Sequence, residues 1–212
     1  MRLTAIEKPP TLIARIAYWL CERELGRVIT PMKVVYARMP ALLPLAYRLV
    51  QIERKRLVLE APLRHLVKTW VAMVNGCSFC VDIARASAVL EHISLEKFQA
   101  LPDWSTSPLY DDRERAALAY VEEATRNGRV SDTTFAAVRT HFSEREIVEL
   151  TWLNAVENYY NRINLPLEIE EDGLCAIAQR RANAKAESRA QSGKGGPAER
   201  VGGARVAEPK DL

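Results

Sequence analysis

Apolar side chains recur along this chain at the three- and four-residue spacing of helix faces, not in the strict alternation of strands. Thr11 can cap a helix through Leu12, Ile13, Ile16, Ala17, Leu20 and Cys21, with Tyr18 and Trp19 beside the stripe and Gly26 near its end. Pro31, Pro40 and Pro44 then predict a run of short helical pieces over Lys33–Val50. Pro62 suits the first turn of a helix to Asn75 whose apolar set is Leu63, Leu66, Val67, Trp70 and Val74. Asn75-Gly76 supplies a left-handed stop, and another helix begins at once around Cys77–Ser78 and runs to about Glu91. Asp111 with Glu114 forms a capping box opening Asp112–Asn127, closed by Gly128. Ser131 or Asp132 starts a helix to about Phe142, and Ser143 with Glu146 is a second capping box, for Glu144–Leu165. After the Asp172-Gly173 turn, Leu174–Ala190 has strong helix formers but no apolar stripe beyond Ile177. The prediction is all-α, a single-domain helical bundle.

Composition sharpens this picture at the C-terminus. Five of the nine glycines lie beyond residue 190, leaving four in the first 175 positions, too few for the turns of a β-rich domain. The net charge of +3 is equally uneven. Residues 176–212 hold eight bases against four acids, while residues 1–175 hold 22 bases and 23 acids. A body so close to neutral offers no footprint for phosphate, so nucleic acid is not an expected partner. Beyond Gln191 the glycine, alanine, proline and charge predict a disordered basic tail. No uninterrupted apolar run reaches about 18 residues, and Met1–Pro10 has no signal-peptide centre, so no membrane association and a cytoplasmic location are expected.

Cys77-Ser78-Phe79-Cys80 is the one compact chemical constellation. It follows a helix stop and occupies the first turn of the next helix, where free N–H groups and the helix dipole favour a thiolate over a thiol. Two cysteines three apart on one helical face can also close a disulfide, one sulfur attacking an oxidant and the other resolving the sulfenic acid. Zinc would need further ligands at short spacing, and Cys21, Cys175, His92 and His141 are isolated, so neither a metal nor a cofactor is implied. A thioredoxin fold would put the motif after a strand, which the pattern lacks. Two small buried cysteines without a role remain the bland alternative.

The run from His65 through Trp70 to Asn75-Gly76-Cys77-Ser78-Phe79-Cys80 resembles the core of the alkylhydroperoxidase AhpD and carboxymuconolactone decarboxylase superfamily. The flanks agree: Tyr36–Leu45 with Pro40, the helix starting Arg113-Glu114-Arg115, the segment from Phe142 to Leu150, and Asn161-Arg162. The resemblance covers roughly residues 30–175, with 1–29 as an N-terminal helical extension and 176–212 as a helical-to-disordered tail. It implies an AhpD-like helical bundle and a homo-oligomer. In the peroxidase branch it also implies a proton relay from a Glu twelve residues before the first cysteine and a His four after the second. Those positions are His65 and Ala84 here, so both relay groups are changed. His65 can still work as acid or base near neutral pH, or be a helix-face histidine satisfied by a carbonyl or water.

Other polar side chains near the motif carry weaker signals. Asp82 lies about 200° around the helix from Cys80, and an ion pair with Arg85 is its expected role. Asn158, Asn161 and Arg162 form a polar patch on an otherwise apolar helix; Asn161 and Arg162 are candidates for lining a substrate pocket, with buried inter-helix hydrogen bonding as the alternative. Tyr159 and Tyr160 suit core or interface.

By resemblance, the leading function is a thiol-dependent peroxidase or disulfide reductase acting on alkyl hydroperoxides. Cys80 is then the attacking sulfur, Cys77 the one exchanging with a partner, and an external dithiol the reductant. A carboxymuconolactone-type decarboxylase, which needs no cysteine, and a non-catalytic helical oligomer that has lost the relay stand as alternatives.

Overall fold

The computed structural model describes residues 1–193, and among these the regular structure is entirely helical. The tail expected to be disordered lies, from residue 194 on, outside the described residues. Nine α-helices follow in order: α1 Leu12–Leu25, α2 Leu43–Arg56, α3 Ala61–Asn75, α4 Ser78–Leu90, the single turn α5 Glu96–Gln99, α6 Asp112–Asn127, α7 Asp132–His141, α8 Glu144–Asn164 and α9 Leu174–Gly193.

Local chemistry explains most of these boundaries. The Thr11 hydroxyl accepts from Ala14 N–H and caps α1, while Gly26 at φ 86° ends it. Both capping boxes form reciprocally: Asp111 with Glu114 at α6, and Ser143 with Glu146 at α8. Between α1 and α3 the outcome differs from the short pieces expected. Met32–Tyr36 is a π-turn and Pro40–Leu42 a 3-10 turn, but α2 then runs unbroken for 14 residues to Arg56. Pro44 sits in its first turn, where the missing N–H has no intrahelical partner to lose, so the proline starts the helix instead of interrupting it.

Two apolar layers meet at α3. The larger core packs α3 against α6 and α8 through Leu63, Leu66, Val71, Leu118, Leu150 and Leu153. A smaller one surrounds the cysteines, with Val34, Phe79, Ile169, Leu174 and Ala178. The first turns of α9 therefore belong to the body, packed on α4.

Asp82 holds that junction. It does not pair with Arg85, whose guanidinium instead donates to the Phe98 carbonyl. Buried on α4, its carboxylate accepts the N–H groups of Asp172 (3.1 Å), Leu174 (2.8 Å) and Cys175 (2.9 Å). The orphan donors at the start of α9 form a site that fits a carboxylate better than the half-buried Arg85 guanidinium does.

Candidate active site

α3 and α4 form a hairpin of helices whose turn is set by one glycine. Gly76 takes φ 73°, its N–H bonds to the Met73 carbonyl, and Cys77 N–H reaches back to Ala72 O at 2.9 Å. These are the two bonds of a Schellman ending. The chain leaves it extended at Cys77, which becomes the N-cap of α4; its sulfur accepts from Cys80 N–H at 3.3 Å. Cys77 and Cys80 are joined as a disulfide with Cα atoms 5.3 Å apart. Both sulfur-bearing residues are buried, 1% and 2% exposed.

A second donor reaches the pair from α8. Asn164 Nδ2 lies 3.4 Å from Cys80 Sγ. One turn earlier, Asn161 Nδ2 donates to Glu157 Oε1 at 2.8 Å, while its Oδ1 accepts from Asn75 Nδ2, also at 2.8 Å. Asn75 donates in addition to Asn158 Oδ1 at 3.0 Å. Glu157, Asn161 and Asn164 are all buried. They continue the stripe that begins apolar at Ile147, Leu150 and Leu153, so the core face of α8 turns polar where it approaches the cysteines.

At the other end of this polar face is a cluster of ionisable groups. Lys68 of α3 bonds both oxygens of Glu53 of α2, at 2.9 and 3.0 Å. Burial alone would push Glu53 up, but Lys68 and its hydrogen bonds hold it below the usual carboxylate range. Burial works against the charge of Lys68, and Glu53 with Glu157 overcomes it, leaving its pKa raised. Glu157 gains less from the cluster: burial dominates over Lys68 and Asn161, and pushes its carboxyl up to about 7.

The residues singled out from the sequence separate in space. Cys77 and Cys80 are together. His65 lies on α3 twelve residues before Cys77, about 15 Å of helix before the end at Asn75, and its Nε2 is 3.1 Å from Glu91 Oε2 just beyond α4. Burial, then the Lys68 charge, lower its pKa against the pull of Glu91, so the imidazole is neutral near pH 7, and its buried Nδ1 has no partner. Asn161 is in the inter-helix network; Arg162, the next residue, is exposed. Tyr159 and Tyr160 pack edge to face with centroids 5.2 Å apart. Glu53, Lys68, Glu157 and Asn164 were not singled out, although the polar continuation of the α8 stripe was visible at 157, 161 and 164.

Among the described residues no group of three or more metal-ligating side chains comes together. None of the helices there is long and apolar enough to cross a membrane.

Comparison with known proteins shows the family. The carboxymuconolactone decarboxylase family model matches residues 40–123. The uncharacterized protein YnjA of Escherichia coli (strain K12) is 35% identical over 184 residues, 86% of this chain and 100% of YnjA. The chain belongs to the carboxymuconolactone decarboxylase family. Among solved structures, a protein of unknown function from Agrobacterium tumefaciens, proposed to be the antioxidant defence protein AhpD, is 29% identical with a TM-score of 0.60, over 65% of this chain and 96% of that one. The debrominase Bmp8, in complex with 2,3,4-tribromopyrrole, shares the fold at 17% identity and a TM-score of 0.72, over 86% of this chain and 97% of its own. The all-α fold is that of the AhpD-like superfamily.

Proposed function

We propose that this family member is a thiol-dependent peroxidase or disulfide reductase of the AhpD type. The observation that carries the reading is the Cys77–Cys80 disulfide at the N-terminus of α4, with a backbone donor on one sulfur and an amide donor on the other. In the reduced enzyme, a Cys80 thiolate attacks the terminal oxygen of a hydroperoxide, breaking the O–O bond; the alkoxide leaves with a proton as alcohol and Cys80 becomes a sulfenic acid. Cys77 then attacks that sulfur, forming the disulfide and releasing water. An external dithiol returns two electrons by thiol–disulfide exchange through Cys77 and is itself oxidised.

His65 enters this reading as a neutral proton acceptor at the far end of the ionisable cluster, with Nε2 engaged by Glu91 and Nδ1 available. Asn161 and Arg162 enter as candidates for contacting the substrate. The exposed apolar side chains of α1, Leu12, Ile16, Trp19 and Leu20, fit a homo-oligomer in which a second copy of the chain covers them.

The test is peroxide consumption with dithiothreitol as reductant, comparing wild type with Cys77→Ser and Cys80→Ser. Loss of turnover in both variants supports the reading; consumption at the wild-type rate in both overturns it. Lactone decarboxylation that survives alkylation of the thiols would assign the family's other chemistry instead.

A further inference from the structure

The positions where the peroxidase branch of this superfamily has its relay are His65, placed beside Glu91, and Ala84, which has no ionisable group. The polar face of α8 instead reaches Asn75 and Cys80. We propose that this face sets the reactivity of the cysteine pair, with Asn164 as the donor that makes Cys80 the thiolate-bearing sulfur and Glu157, held by Asn161 on the same face, as a carboxyl whose charge acts on it across the buried interior. The inference deepens the thiol-redox reading and rests on it for its biological meaning.

Three observations support it. The first is chemical: a thiolate accepts hydrogen bonds and donates none, so the amide nitrogen of Asn164, 3.4 Å from Cys80 Sγ, stabilises the charged form. The site is buried, where such a donor has little competition from water.

The second is geometric. Glu157, Asn161 and Asn164 stand at i, i+4 and i+7 on one buried face, and Glu157 is tied to Asn161, which is tied in turn to Asn75, two residues before Cys77. Two helical turns, about 10 Å, separate Glu157 from Asn164 along the axis. Across that distance in a protein interior, a carboxylate opposes a thiolate by an amount on the order of one pKa unit.

The third is that burial raises the Glu157 carboxyl into the neutral range, so its charge changes there. Lys68 and His65 from α3 and Glu53 from α2 face the cluster, with Glu91 beyond α4, Tyr36 from the π-turn and Tyr160 from α8 itself. Lys68 and Glu53 are locked together as an ion pair, and burial with the Lys68 charge holds the His65 pKa below its ordinary value. Glu157 titrates at about 7. Nearer the sulfurs, the Asp82 carboxylate is turned away and engaged by three N–H groups of the α9 start. A protonated Glu157 leaves the thiolate favoured; its ionisation disfavours it.

The experiment is alkylation of the reduced protein by iodoacetamide as a function of pH, with each cysteine's modification read by peptide mass spectrometry. Wild type should show Cys80 reacting ahead of Cys77, with a profile broadened by a second titration around neutrality. Glu157→Gln, which keeps the bond from Asn161, should lose that second titration and shift the apparent Cys80 pKa down by on the order of one unit; Glu157→Asp should restore it. Asn164→Leu should shift the Cys80 pKa up and reduce its lead over Cys77, and Asn164→Ala provides the same reading if leucine is not accommodated. A Glu157→Gln profile superimposable on wild type, or an Asn164 variant with Cys80 unmoved, overturns the proposal. No peroxide is used, so a chain that fails the peroxide assay but shows these shifts loses the peroxidase reading and keeps this one.

Discussion

The carboxylate of Asp82 accepts the N–H of Leu174 at 2.8 Å, so a side chain of α4, two residues beyond Cys80, caps the helix ninety-two residues away in the chain. Asp82→Ala would leave three N–H groups without their acceptor in a buried junction. The expected cost is about 2–3 kcal/mol of stability, measured by urea denaturation. Asp82→Asn should cost less, because one amide oxygen still accepts.

Lys68 and Glu53 form a largely buried pair. Lys68→Met removes the partner that holds Glu53 ionised and should destabilise the fold by about 3–5 kcal/mol. Combining it with Glu53→Gln should recover a substantial part of that loss. The double-mutant cycle in thermal or urea unfolding checks the coupling, and additive effects would contradict it.

Glu157 makes stability depend on pH in a defined direction. Its folded pKa is raised to about 7 from an ordinary value of 4.5. Below 4.5 both states hold the proton; between these values the unfolded chain releases it while the folded chain keeps it, so stability falls as pH rises and the loss is complete above about 7. Glu157→Gln removes that dependence. Between pH 5 and pH 8 the wild type should lose on the order of 2–3 kcal/mol more than the variant, read from unfolding midpoints across the range.

Gly76 has room for a methyl group but not the backbone for it: nothing lies within 4 Å of an added Cβ, while φ is +73°. Gly76→Ala should therefore cost about 1–2 kcal/mol from backbone strain alone. A lowered melting temperature with the Cys77–Cys80 pairing retained is the expected result.

The helical architecture was legible in the chain because its boundaries are local. Thr11, Asp111–Glu114, Ser143–Glu146 and Gly76 each act within a few residues of the end they define. Pro44 was ambiguous for the same local reason, since a proline that ends one helix is also one that begins another. The Cys77–Cys80 pair was visible as a motif at a helix start. What surrounds it was not, because Asp82 meets α9 and Asn164 meets Cys80 only through contacts across more than eighty residues. The buried cluster was hidden for a further reason: Glu53, Lys68 and Glu157 each look like ordinary surface charges until three helices bring them together.

The turn at Gly76 also fixes a rotational phase. It starts α4 at a definite angle, and that angle alone points Cys80 at Asn164 while turning Asp82 toward α9. One additional residue between Gly76 and Cys77 would advance the whole helix by about 100° and about 1.5 Å. The two cysteines would keep their spacing and their ability to pair, yet both outside contacts would be lost in the same step. Spacing inside the motif is thus only half of what this hairpin conserves mechanically; the other half is the distance from the motif to the glycine before it.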